Sequence, residues 1–214
     1  MKKDCVEMVF ILDRSGSMSG LENETIGGFN GMLKKQKALE NEAYITTILF
    51  DNDYEVLHNR VPLKEVQNLT QKDYYVRGTT ALLDAIGKTI EKIEAKHTYL
   101  PVSQRPEKTI FIITTDGMEN QSRLYGVEEI KTMIEKQRLR HDWEFLFLGA
   151  NIDAVKTAHM YGIDASRVAD FHADKEGVNL CYEEIGNTLN ELRLHKKINN
   201  SWNKNIKSDY ASRK

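Results

Sequence analysis

The sequence predicts an α/β fold: a doubly wound, Rossmann-like, mostly parallel sheet with one antiparallel edge strand and helices on both faces. Three observations predict it. Short apolar runs such as Val6 to Leu12, Thr109 to Thr115 and Trp143 to Leu148 are nearly continuous, as in strands buried on both faces. Amphipathic segments of helical period lie between them. Strands that alternate with helices pair in parallel through crossovers.

In chain order, Val6 to Leu12 is the first strand. Ser19-Gly20-Leu21-Glu22 has the spacing of a capping box. Ile26, Phe29, Leu33 and Gln36 to Leu39 then continue a helix of about five turns. Ala43 to Asp51 is a second strand, Asn52-Asp53 a turn, and Tyr54 to Val61 a third strand hairpinned to the second. Leu82, Leu83, Ile86, Ile90 and Ile93 line the next helix. After a loop with Pro101 and Pro106 come the strand Thr109 to Thr115, a helix marked by Val127, Ile130 and Ile134, and the strand Trp143 to Leu148. Asp153 caps a short helix that stops at Gly162. Arg167 to Phe171 is a short last strand, and Val178, Cys181, Ile185, Leu189 and Leu192 trace the final helix.

The 214 residues suit one domain, taken as 1–195, with a basic C-terminal tail, 196–214, read as a helix extension or a disordered segment. The tail holds Lys196, Lys197, Lys204, Lys207, Arg213 and Lys214 against Asp209 alone. Hydrophobic residues make up 40% and charged residues 29%, enough for a core and against a disordered chain. A net charge of −2 argues against a protein whose main task is coating nucleic acid. Cys5 and Cys181 form neither a disulfide framework nor a zinc site. The longest apolar runs are too short to span a bilayer, and no leader-type stretch follows Met1. The expected location is the cytoplasm, with no membrane partner.

Three candidate site segments each sit beside a predicted element end. Asp13-Arg14-Ser15-Gly16-Ser17 follows the first strand, Gly78-Thr79-Thr80-Ala81-Leu82 opens a helix, and Thr115-Asp116-Gly117 closes the strand from Thr109. Open α/β sheets bind ligands beyond the carboxyl ends of strands, where the strand order reverses. A strand order 3-2-1-4-5 would put Asp13 and Asp116 side by side there, about one strand spacing of 5 Å apart. Two carboxylates that close need a cation or a shared proton between them. Ser15, Ser17 and Thr80 complete an all-oxygen set, with Thr79 a rival to Thr80. Oxygen-only ligation suits Mg²⁺ or Mn²⁺. Singly, Asp13 would serve as a cap and Asp116 as a turn residue; the joint pattern points to metal.

These segments, in this order, resemble the metal-ion-dependent adhesion site of von Willebrand factor type A domains, and the resemblance covers about residues 5–195. The run Val9-Phe10-Ile11-Leu12-Asp13-Arg14-Ser15-Gly16-Ser17-Met18 is typical of bacterial and phage members. The resemblance implies that Ser15, Ser17 and Thr80 touch the metal directly or through water, with Asp13 and Asp116 acting behind them or switching in. It also implies an open coordination position filled by an Asp or Glu of a partner protein, so a binding module and not a catalyst.

Other readings are weaker. A Mg²⁺-dependent phosphohydrolase with Asp13 as nucleophile would want an acid/base group two residues on, where Ser15 stands. An RNA-associated protein using the tail lacks an aromatic platform. Asp51-Asn52-Asp53 starts like a calcium loop, but Val56 and Pro62 break that pattern, leaving a hairpin turn. Arg14 reads as a solvated loop residue or a contact to an acidic partner; Glu119 and Asn120 read as loop residues or as a rim to the site.

Overall fold

In a computed structural model, residues 1–213 are described; Lys214 of the predicted tail lies outside them. The strands are β1 (Lys2–Asp13), β2 (Ala43–Phe50), β3 (Tyr54–Pro62), β4 (Pro106–Thr115), β5 (Glu144–Ala150) and β6 (Val168–Phe171). The helices are α1 (Glu22–Lys37), α2 (Leu82–Tyr99), α3 (Val127–His141), α4 (Ala154–Met160), α5 (Lys175–His195) and α6 (Lys204–Ser212). The strands form one sheet in the order β3-β2-β1-β4-β5-β6, parallel throughout except for β3.

The alternation of β1 explains both layers. Val6, Met8, Phe10 and Leu12 face α1 and α5, while Val9 and Ile11 join the apolar side chains of α2, α3 and α4. Because both faces are covered, the central strands carry apolar residues at successive positions, which is why their runs are continuous. α1 leads from β1 towards one edge of the sheet and α3 from β4 towards the other, so the order reverses between β1 and β4. Leu12 pairs with Thr114 across that line, which brings Asp13 beside the end of β4.

Two expectations need correction. Ser19 does not cap α1. Gly16–Met18 forms a tight turn first, the helix begins after Leu21 without a side-chain cap, and Glu22 accepts from the Gly20 amide instead. Nor is the chain beyond residue 195 a frayed extension. Lys196 adopts a left-handed conformation (φ 60°) that ends α5 and turns the chain back. Ile198, Trp202 and Ile206 are then buried in the same apolar cluster as the inner face of β1. Trp202 Nε1 donates to the Ser166 carbonyl, and the Asn203 amide donates to the Val168 carbonyl. The tail's cations are partly spoken for: Arg213 pairs with Asp174 and Asp209, and Lys196 with Asp4. The apolar spacing of four residues from Ile198 outweighs the surrounding charge, since burying a Trp and two Ile is worth several kcal/mol. No helix among the described residues is long and apolar enough to cross a membrane.

Trp202→Ala should destabilise the whole fold by about 3–5 kcal/mol, the usual cost of emptying a large aromatic site. Urea unfolding measures it; a loss below about 1 kcal/mol would mean that the segment adds nothing to the core.

Candidate metal site

The site is built at the carboxyl ends of β1 and β4 and at the start of α2. Asp13 is the last residue of β1 and is only 1% exposed. One of its carboxylate oxygens accepts from the Ser15 amide at 2.7 Å, the other from the Thr115 hydroxyl at 2.6 Å. Its own carbonyl accepts from the hydroxyl of Tyr74, which is buried beneath the site. Asp13 is thus fixed at three atoms.

The hydroxyls converge beside it. Ser15 Oγ and Ser17 Oγ lie 3.1 Å apart, and Ser17 Oγ donates to Asp116 Oδ1. A Cβ on Gly117 would lie 3.2 Å from Ser17 Oγ and 3.3 Å from Thr80 Oγ1, so these two oxygens border the same small space. Thr80 is buried and Thr79 is exposed. The structure therefore brings Asp13, Ser15, Ser17, Thr80 and Asp116 together and leaves Thr79 outside.

One atom tests whether a cation fits. Asp116 Oδ2 is buried and has no hydrogen-bond partner. An unpaired carboxylate oxygen out of water costs free energy unless a cation or a proton meets it. Among the described residues no group of three or more His, Cys, Asp or Glu side chains is placed to hold a metal. Here the donors are two carboxylates and three hydroxyls, a hard-oxygen set. Such a set suits a divalent cation, which Asp116, Ser15, Ser17 and Thr80 would hold.

Glu119 and Asn120 do not rim the site as free polar groups. Glu119 accepts from the Leu83 amide at the start of α2 and from the amides of Gln121 and Ser122. Asn120 exchanges hydrogen bonds with Thr80: its side-chain oxygen accepts from the Thr80 amide, and its own amide donates to the Thr80 carbonyl. Arg14 departs further from expectation. It is fully buried rather than solvated, with its guanidinium on Asp51 and Glu55. Its position inside a motif of small polar residues gave no hint of this, because both partners lie on another hairpin.

Burial and charge set the protonation. Burial pushes the Asp13 carboxyl up from 3.8 to about 6, against the pull of the Thr115 and Ser15 hydrogen bonds; the nearby Asp116 adds to the rise. Burial also raises Asp116, opposed by the bond from Ser17. Asp51 goes the other way: burial raises it, but hydrogen bonds from Arg77, Asp53 and Arg14 outweigh that and hold it below the usual range.

A raised carboxylate pKa means that the folded, metal-free protein holds its proton more tightly than the unfolded chain does. The stability it contributes is present below about pH 4 and lost as pH rises towards 6, roughly 3 kcal/mol in full. Urea midpoints in EDTA should therefore fall for the wild type between pH 4 and 6.5 by more than for Asp13→Asn. Equal slopes would show that Asp13 ionises freely in the fold.

No protein-family model and no curated protein matches the sequence. Solved structures do match the fold. The pilus adhesin SpaC of Lactobacillus rhamnosus GG, in its open conformation, aligns over 87% of this chain and 30% of its own with a TM-score of 0.65 at 14% identity. The von Willebrand factor type A protein of Catenulispora acidiphila aligns over 86% and 42%, TM-score 0.56, also at 14% identity. Proximal thread matrix protein 1 of the mussel byssus, in a structure with a zinc-occupied metal-ion-dependent adhesion site motif, aligns over 85% and 44%, TM-score 0.57, at 13% identity. The chain spans less than half the length of each of these three. At such identities the likeness speaks for the fold alone. With its six strands, five parallel and one antiparallel, between two helical layers, the chain has a von Willebrand factor type A-like fold.

Proposed function

We propose that this chain is a divalent-metal-dependent protein-interaction module, which binds an Asp or Glu of a partner protein through Mg²⁺ or Mn²⁺ held by Asp13, Ser15, Ser17, Thr80 and Asp116. The observation that carries the reading is Asp116, whose Oδ2 is buried and unpartnered while its Oδ1 takes the Ser17 hydroxyl, next to the hydroxyls of Ser15 and Thr80. When bound, the metal supplies an electrophilic position for a carboxylate. The chain's own groups set its strength. Three neutral hydroxyls and only two carboxylates leave a divalent charge with little excess negative charge around it, so an incoming carboxylate is attracted. Of the neighbours, the mussel protein carries zinc at a motif of this kind.

A hydrolase has no comparable support. Asp13 is held at both carboxylate oxygens and is nearly inaccessible, which is poor placement for an attacking group. Binding RNA through the tail is likewise unsupported, since residues 198–206 pack inward. The cavities of about 480 and 550 Å³ are lined by residues such as His97 and Trp143, and Glu144 and Arg167, at the amino ends of the strands and away from these donors. We place the protein in the cytoplasm, on the strength of two buried, unpaired cysteines, Cys5 and Cys181.

Thermal melts test the site. At a free metal concentration of about 100 Kd, linkage stabilises the fold by about 2.7 kcal/mol, a rise of roughly 5–10 °C for a chain of this size. Mg²⁺ or Mn²⁺ should give that rise over EDTA, and Asp116→Ala should abolish it. A wild type indifferent to both metals would sink the reading.

A further inference from the structure

From Val66 to Ala81 the chain contains neither helix nor strand, yet it must deliver the Thr80 hydroxyl beside Ser17. Something other than a regular ladder has to hold it. The Asp51 carboxylate is fully buried in the β2–β3 turn, and its Oδ2 accepts from Arg14 Nε and from Arg77 Nε, both at 2.8 Å. Arg14 belongs to the loop of Asp13, Ser15 and Ser17; Arg77 belongs to the loop of Thr80. The exposed ring of Tyr75 lies near both guanidiniums, 5.5 Å from Arg14 and 5.7 Å from Arg77.

Main-chain bonds follow the same seam. The Arg77 amide donates to the Arg14 carbonyl, the Gly16 amide to the Gly78 carbonyl, and the Ala81 amide to the Asp51 carbonyl. Gly78 sits at φ 69°, and a Cβ there would run into the Asn52 side chain of the same turn. Three loops thus meet on one carboxylate. Two of them carry the metal donors, and the third carries none.

We infer that Arg77, through Asp51 and Arg14, is a positioning residue for the metal site, locking the Thr80 loop onto the loop of Ser15 and Ser17. The inference rests on the metal reading above for its functional consequence, but the lock itself is made by protein groups alone. Arg77 is its accessible arm, with a side chain 42% exposed, whereas Arg14 and Asp51 have no exposure at all. A charge-charge contact with both members buried is costly to break on one side, because the other is left charged and unpaired. Arg77 can be removed while Arg14 still pairs with Asp51. Groups that orient metal donors from behind are worth about 10–100-fold in metal affinity.

The experiment uses the full chain and two readouts. Amide hydrogen exchange in EDTA reports the lock, and calorimetric titration with Mn²⁺ alone reports the site. In Arg77→Ala the amides of Gly16, residue 77 and Ala81 should exchange about tenfold faster, while the melting temperature in EDTA moves by less than about 3 °C. The same variant should bind Mn²⁺ about tenfold more weakly, and Arg77→Lys should recover part of both losses. Unchanged exchange at those amides, or a Mn²⁺ affinity equal to wild type, overturns the inference. If the wild type takes up no Mn²⁺, the metal reading fails by itself, and the lock stands or falls on exchange alone.

Discussion

Two carboxylates lie close together out of water at the one place in the sheet where the strand order reverses, and the surrounding architecture answers that constraint. Like charges in such a position repel, and burial raises both Asp13 and Asp116. The protein does not cancel the charge with Lys or Arg side chains on these oxygens. It surrounds them with amides and hydroxyls from Ser15, Ser17 and Thr115, dipoles that hold a carboxylate in place without neutralising it. Among the described residues no side-chain cation pairs with either carboxylate.

The cations that do occur nearby are kept apart from these carboxylates. Arg14 directly follows Asp13, yet its guanidinium turns to Asp51 and Glu55. Had it folded back onto Asp13 or Asp116, it would have neutralised them from within the chain. The same economy governs the far side of the site. Glu119 and Asp84 bind the amides at the start of α2 and of the loop after Asp116, so two further carboxylates close to the donors serve as caps. Asn120, uncharged, is the residue that grips Thr80.

What could be read in advance follows from how local each signal is. The strand order and the layers were legible because continuous apolar runs and helical periodicity are each confined to a dozen residues. The convergence of five polar side chains was legible because Asp13, Ser15 and Ser17 share one turn, while Thr80 and Asp116 each sit beside an element end. The burial of Arg14 was not, since its partners are 37 and 41 positions away. Ser19 and Glu22 had the right spacing for a cap, but the Gly16–Met18 turn had already used that stretch of backbone. In the last twenty residues, six basic side chains drew attention away from an Ile–Trp–Ile stripe that was present in the letters. Charge shows where a segment could be solvated; it does not measure what the same segment gains by burial.

The placement of α6 bears on the open margin of the sheet. β6 is the terminal strand, and α6 packs against it while Asn203 takes one of its carbonyls. An uncovered terminal strand is a template on which another copy can extend the ladder. The C-terminal segment covers part of that edge. Loss of the segment after Lys196 would bare that edge and at the same time strip Ile198, Trp202 and Ile206 from the core. At the opposite margin, β3 pairs irregularly with β2 and ends at Pro62, two features that make an edge strand a poor template.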